Sequence, residues 1–112
     1  MKMYNVIIWK DNDNEDIHVF KNKPTFKDLY PLLGCDLIEI QKGYNPEVSK
    51  RSFDMYCDEE AKLKATNYPN RRATHAWYTW MKRTNRMCLP GDGISGAVAI
   101  IKKVDIKLKE VA

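Results

Sequence analysis

The sequence predicts an α+β fold with a mostly antiparallel sheet and two helices, in the order ββαββαβ. Three observations predict this class. Short alternating or β-branched segments separated by turn residues predict five strands. Two segments with apolar residues at helical spacing predict the helices between them. The chain of 112 residues, 44% of them hydrophobic, is long enough for one core, and we expect residues 1–112 to form a single domain.

The first two strands are predicted to form a hairpin. Residues 3–9 contain a short apolar run, and residues 16–20 alternate between apolar and polar side chains. Residues 11–14, Asp-Asn-Asp-Asn, separate them and are typical of a turn. The acids here resemble the first ligands of a calcium-binding loop, but Asp16 stands where that loop needs glycine and Asn22 where it needs glutamate. We therefore interpret the segment as a turn.

The first predicted helix begins at Thr25 and ends at Gly34. Thr-Phe-Lys-Asp at its start has the form of a capping box, the leucines that follow give it one apolar face, and glycine commonly follows a helix end. Pro31 keeps this helix short or distorts it. Alternating apolar residues then predict strands over residues 35–41 and 52–57.

The second helix has the clearest signature, and it begins after Asn70, which we interpret as its N-cap. Its apolar face follows helical spacing and comprises Ala73, Ala76, Trp77, Trp80 and Met81. A polar face comprises Arg71, His75, Tyr78 and Lys82, flanked by Arg72, Thr79, Arg83 and Arg86. Residues 97–101 predict the last strand, which continues as an alternating tail over residues 104–108.

The core is expected to combine both helices with the sheet. Its predicted members are Val6, Ile8, Leu29, Leu33, Ile38, Ile40, Trp77, Trp80, Val98 and Ile100. The two tryptophans are assigned to the core because they share a helix face with alanine and methionine.

Charge is distributed unevenly along the chain. Residues 1–60 carry eight basic and twelve acidic side chains, a net charge of −4, although the whole chain is at +4. Residues 61–91 contain seven basic residues and no acidic one. Protein surfaces normally mix both signs. A region of one sign therefore predicts attraction of an anionic partner or ligand.

Composition disfavours several classes of protein. No apolar stretch reaches the ~18 residues of a membrane span, and the first residues lack the features of a signal peptide. The three cysteines are widely spaced, which predicts free thiols and a cytoplasmic location. The two histidines are distant from the cysteines in sequence, so we expect no structural metal and no cofactor.

An enzyme is not expected, because no catalytic constellation can be assembled. The cysteines, histidines and serines form no local signature of a nucleophile with its base. Residues 91–96 match Gly-x-Gly-x-x-Gly, but they follow a predicted helix and open a strand, the reverse of a dinucleotide-binding loop. We interpret them as a glycine turn and the acids at 58–60 as a solvated turn. A small hydrolase is the least favoured function.

Several segments resemble the DUF3846 family. Residues 70–74, Asn-Arg-Arg-Ala-Thr, resemble its Asn-Arg-x-Ala-Thr motif, and residues 59–63 resemble its Glu-x-Gly-Lys-Leu segment. With the first helix and the glycine before the last strand, the resemblance covers residues 25–103. Cys35 and Ala61 depart from it, since they stand where the family commonly has glycine. The family occurs largely in bacteriophages and mobile elements, so the resemblance implies a phage setting and supplies no catalytic residues.

The strongest candidate site is the start and polar face of the second helix. It comprises Tyr68, Asn70, Arg71, Arg72, His75, Tyr78, Lys82 and Arg83. Arginines in the first helical turn oppose the helix dipole, so their presence there indicates binding of phosphate or carboxylate. The alternative, left open, is that these arginines pair with the acidic first half, at Glu39, Asp58 or Glu60.

These observations predict a small non-enzymatic phage accessory protein that binds a nucleotide-like anionic ligand or an acidic host protein. Such a protein would act in the host cytoplasm and antagonise host defence or metabolism. Direct nucleic-acid binding is the alternative, which the modest net charge of +4 and the acidic first half disfavour. We expect no membrane association, and a homo-oligomer is compatible with the sequence.

Overall fold

The computed structural model describes residues 2–87 and 91–105. The elements in chain order are β1 (Lys2–Trp9), β2 (Glu15–Phe20), α1 (Phe26–Leu33), β3 (Ile38–Gly43), β4 (Phe53–Asp58), a short 3₁₀ helix (Ala61–Leu63), α2 (Arg71–Arg83) and β5 (Val98–Asp105). The predicted order of strands and helices is confirmed, and with it the α+β class. The part of the predicted C-terminal tail beyond residue 105 lies outside the described residues.

The five strands form one antiparallel sheet in the order β2-β1-β5-β4-β3. The last strand of the described chain, β5, therefore lies at the centre of the sheet. It pairs with β1 along its whole length, from Lys2 opposite Asp105 to Trp9 opposite Val98. Its pairing with β4 is shorter and includes Tyr56 opposite Ala99. Strand β5 thus joins the β1–β2 hairpin to the β3–β4 hairpin.

Helix α1 packs on one face of the sheet. Its buried residues Leu29 and Leu33 belong to a cluster with Val6, Ile8 and Ala99 of the central strands. The helix begins with the predicted capping box, in which the backbone N–H of the N-cap donates to the carboxylate three residues later at 2.8 Å. It ends at the predicted glycine, whose φ of 63° is a left-handed conformation that favours glycine.

Helix α2 packs on the opposite face. Ala73 and Ala76 are fully buried in a cluster with Trp9, Met55 and Ile100, among others. Because their side chains are small, the helix axis can approach the sheet closely. The sheet is therefore covered by a helix on each face.

The expected core is confirmed for Val6, Ile8, Leu29, Leu33, Val98 and Ile100, all of which are buried. It is wrong for Ile40, which is 46% exposed because it lies on the edge strand β3, beyond the cover of α1. Ile38, Trp77 and Trp80 are only half-buried. Trp77 packs against the cluster in which Ala73 and Ala76 of the same helix face are buried.

The strand expected from residue 35 begins instead at Ile38. The reason lies in the end of α1, where the backbone N–H of Cys35 donates to the carbonyl of Tyr30 at 3.1 Å. Cys35 is buried against α1 and belongs to the helix terminus. The strand can start only after the chain has left that terminus.

Asn70 joins α2 to the sheet and is completely buried. Its side-chain Oδ1 accepts from the backbone N–H of Ala73 at 3.1 Å, which confirms the predicted N-cap. Its Nδ2 donates to the carbonyls of Trp9 at 2.9 Å and of Gly96 at 2.8 Å, and its own backbone N–H donates to the carbonyl of Ile94 at 2.8 Å. One side chain thus connects the start of α2, the end of β1 and the loop before β5.

We predict that Asn70→Ala lowers the free energy of unfolding by roughly 3–5 kcal/mol, because it removes a helix cap and leaves two buried carbonyls without a donor. Chemical denaturation followed by tryptophan fluorescence measures this loss. Asn70→Asp keeps the cap acceptor and removes only the donated hydrogen bonds, and it should also be strongly destabilised. Asn22→Ala, at an exposed loop position, is the control. An Asn70→Asp variant as stable as the wild type would contradict the assigned role.

Candidate functional site

The eight predicted site residues fall into three groups in the structure. Asn70 lies in the core, where its donors and its side-chain acceptor are engaged by protein groups. Tyr68, Arg71 and Arg72 lie near the start of α2. His75, Tyr78, Lys82 and Arg83 follow along the helix. The structure therefore does not bring all eight together at one surface.

Arg72 is held against the first hairpin. Its guanidinium lies 3.1 Å from the carboxylate of Glu15 and 5.3 Å from the centre of the Trp9 ring. The indole N–H of Trp9 donates to the same carboxylate oxygen at 3.0 Å. Arg72 therefore pairs with the acidic first half, but with Glu15 and not with the three carboxylates expected from the sequence. This contact gives Arg72 a structural reason to stand in the first helical turn.

Arg71 and Tyr68 are differently placed. Arg71 is exposed and forms no hydrogen bond or ion pair with any residue of 2–87 or 91–105. Tyr68 is 66% exposed, while its backbone N–H donates to the carboxylate of Asp11 at 2.8 Å. Both side chains are accessible, but the chain that carries them is fixed to the first hairpin.

Two lysines of the basic region are neutralised. Lys64 lies 2.6 Å from the carboxylate of Asp58, which is only 5% exposed, and it also donates to the carbonyl of Gly34. The hydrogen bond to Asp58 raises the pKa of Lys64. Lys62 pairs with Asp92 at 2.9 Å and lowers the pKa of that carboxyl group. Part of the charge of residues 61–91 is therefore balanced locally.

The cations nearer the C-terminal end of α2 are arranged differently. The guanidinium of Arg83 lies 3.9 Å from the ring centre of Tyr44, and that of Arg86 lies 4.9 Å from the ring centre of Trp80. Lys82 is exposed. No carboxylate of the described chain pairs with any of these three cations. We call the exposed residues His75, Lys82, Arg83 and Arg86, together with the half-buried Thr79, the cationic surface.

A groove crosses this surface. Its described lining residues are His75, Tyr78, Thr79, Lys82 and Arg86. Tyr78 contributes less than the sequence predicts, because its hydroxyl donates to the backbone carbonyl of Asp92 and its ring stacks on Trp77 at 5.3 Å. The groove therefore presents cationic groups and a hydroxyl to a ligand, and the aromatic ring of Tyr78 is not free for stacking.

A small cleft of about 160 Å³ at one end of the sheet was not found by sequence reasoning. Its charged lining residues are Glu39, Asp58, Glu59, Lys62 and Asp92. Two of its four carboxylates are the partners of the lysines described above. The part of the chain that the structure describes contains no group of three or more residues suited to hold a metal ion. The only sequence signal for this cleft was the run of three acids at 58–60.

Cys57 lines the base of the cleft and Cys35 lies beneath α1. Both are free thiols, as predicted, and both are buried; Cys88 lies outside the described residues. Burial raises the pKa of Cys57 to about 12 and also raises that of Cys35. Since the thiolate is the reactive form, these two cysteines are poor nucleophiles.

The glycine turn at residues 91–96 leads into β5, as the sequence predicts. Gly96 adopts a φ of 75°, and its carbonyl accepts from Asn70. At Gly93, a Cβ would approach the Thr74 hydroxyl oxygen to 3.1 Å. The turn is therefore shaped by its contact with the start of α2, and it opens a strand instead of a helix.

The chain has no significant match among protein-family models, curated proteins or solved structures. The resemblance to the DUF3846 family therefore rests on the segments themselves. Within residues 70–74, Asn70 and Ala73 face the core, and the Thr74 hydroxyl accepts from the backbone N–H of Ile94 at 2.9 Å. The motif thus contains a buried asparagine that connects parts of the fold and two arginines that are exposed. None of the helices among the described residues is long and apolar enough to cross a membrane.

We predict that the two arginines of the first turn differ in their effect on stability. Arg72→Ala should lower the free energy of unfolding by about 1 kcal/mol, because it removes a partly exposed ion pair and a contact with the Trp9 ring. Arg71→Ala should change it by less than about 0.5 kcal/mol, since Arg71 has no partner in the described chain. Urea denaturation of both variants measures the difference. Equal stabilities would show that the Glu15 contact contributes nothing.

Because Cys35 and Cys57 are buried, we predict that their thiols do not react while the protein is folded. In a Cys88→Ser variant, neither Cys35 nor Cys57 should react with a thiol reagent at neutral pH until the chain is unfolded, when both should react. Colorimetric thiol counting with and without denaturant tests this. Rapid reaction of one thiol in the folded variant would indicate that its surroundings open readily.

Proposed function

We propose that this protein is a non-enzymatic binding protein whose cationic surface receives an acidic protein partner. One observation carries the proposal: the cations of that surface have no carboxylate partner in the described chain, although Arg72, Lys62 and Lys64 of the same basic region do. Cations without a carboxylate partner attract and orient an acidic surface.

The arginines of the surface are suited to bind carboxylates. A guanidinium that rests on an aromatic ring is held in one orientation, so less conformational entropy is lost when its N–H groups bind. Tyr44 and Trp80 provide such rings for Arg83 and Arg86. Both guanidinium groups can then form charge-assisted, bidentate hydrogen bonds with a carboxylate.

One observation favours a protein over a small ligand at this surface. Met87, next to Arg86, is 93% exposed, and methionine and arginine are both enriched in protein interfaces. Nucleic acid is less favoured, because the net charge is only +4 and the first sixty residues are acidic.

The biological setting is proposed from the resemblance alone. If the chain belongs to a phage or mobile element, an acidic host protein in the host cytoplasm is the natural partner. Binding without catalysis would then act by occlusion, which fits a role against host defence or metabolism.

The proposal predicts selective binding of a short poly-glutamate peptide over a poly-lysine peptide of equal length. In a backbone-amide NMR titration, the poly-glutamate shifts should centre on residues 75–86. Arg86→Ala and Lys82→Ala should each weaken binding about threefold to tenfold, as expected for exposed hydrogen bonds to charged groups. Lys21→Ala, an exposed lysine of the loop after β2, is the control with the same charge change.

Two results would contradict the proposal. Equal weakening by Lys21→Ala would show that only net charge matters. Tighter binding of single-stranded DNA than of the peptide, with a steep loss of affinity as salt rises, would assign the surface to nucleic acid instead.

A further inference from the structure

A groove on the other face of the sheet was not found from the sequence, and its lining contains none of the residues of the cationic surface. Helix α1 has eight residues and is only about 12 Å long, whereas the paired part of β1 and β5 extends about 26 Å. The helix therefore covers only part of this face. The uncovered part is a groove lined by Tyr4, Lys23, Ser52, Phe53, Asp54, Tyr56, Ile101 and Lys103.

The register of the sheet arranges these side chains in order. Lys103 lies directly opposite Tyr4, and Ala99 lies opposite Tyr56 on the other side of the same strand. Opposite residues of neighbouring strands point to the same face, so both tyrosines face the groove with Ile101 between them. Lys103 and Ala99 are four residues apart, about 13 Å along the strand. The groove therefore has two distinct ends.

One end is cationic. Lys103 is exposed on β5, and Lys23 is exposed in the loop between β2 and α1. Over residues 2–87 and 91–105, neither lysine forms an ion pair and the hydroxyl of Tyr4 has no hydrogen-bond partner. Two ammonium groups and a hydroxyl that line the same groove can bind a phosphate group.

The other end is aromatic. Tyr56 is half-buried, with Phe26 edge-on to its ring at 6.1 Å. Ile101 gives the groove an apolar floor between the two ends. The carboxylate of Asp54 lines the same groove, where it can accept a hydrogen bond from an amino group although it is paired with Lys42. Aromatic and apolar surfaces with one nearby acceptor suit a flat heteroaromatic ring.

We propose that this groove is a second binding site, for a small ligand that carries both a phosphate and a heteroaromatic ring, with a nucleoside monophosphate as the simplest example. The phosphate lies at Lys23 and Lys103, and the ring lies against Tyr56. The site does not depend on the function proposed for the cationic surface, because the two lie on opposite faces of the sheet.

The test uses the full chain and the four common ribonucleoside monophosphates, titrated by calorimetry and backbone-amide NMR. At least one should bind saturably and shift the amides of Tyr4, Tyr56 and Lys103. Ribose 5-phosphate and the matching nucleoside, which each supply half of the ligand, should bind at least tenfold more weakly.

Variants then assign each end of the groove. Lys103→Ala and Lys23→Ala should each weaken nucleotide binding about tenfold, whereas Lys21→Ala in the same loop as Lys23 should not. Tyr56→Leu should weaken binding of the nucleotide but not of ribose 5-phosphate, and Tyr56→Phe, which keeps the ring, should retain most of the affinity. Melting temperatures show whether each variant is folded.

Three results would overturn this site. They are no saturable binding of any of the four nucleotides at millimolar concentration, full affinity in a folded Lys103→Ala variant, and amide shifts confined to residues 75–86. None of them affects the peptide titration at the cationic surface, so the two proposals fail separately.

Discussion

The amide of Asn70 connects the parts of the molecule on which its surfaces depend. It caps α2 and donates to carbonyls at the end of β1 and in the loop before β5. Because β5 follows the other four strands in the described chain and is the central one in the sheet, its position has to be set against an element that precedes it in the chain. Breaking the hydrogen bonds of a buried amide costs free energy, because its polar groups would be left without partners. The Asn70 side chain therefore fixes the start of α2 relative to both central strands.

The placement of α2 determines which of the basic residues find a carboxylate partner. Once the start of α2 is fixed at the end of β1, Arg72 reaches Glu15 and Trp9 of the first hairpin. Lys64 reaches the buried Asp58 at the end of β4. Arg83, in the last turn of α2, and Arg86, just after the helix, contact aromatic rings instead of carboxylates. One acid-free segment thus contains cations that hold the fold together and cations that remain available to a partner.

The two faces of the sheet offer different chemistry. On the α2 face, the small residues Ala73 and Ala76 allow close packing, and the exposed cations stand on the outside of the helix. On the other face, the short helix α1 leaves side chains of the central strands uncovered, including Tyr4, Tyr56 and Lys103. A surface of exposed cations suits a large acidic partner, whereas a groove with separate cationic and aromatic ends suits a small ligand.

The sequence by itself determined the α+β class, the order of the elements, the caps at Thr25, Gly34 and Asn70, and the free state of Cys35 and Cys57, because these depend on local spacing and residue type. Only the tertiary structure decided which cations are neutralised, how far Trp77 and Trp80 are exposed, and which strands are neighbours. The groove is the clearest case. Its tyrosines are fifty-two positions apart in sequence and share a face only because β5 lies between β1 and β4. Periodicity along one strand carries no information about its neighbours.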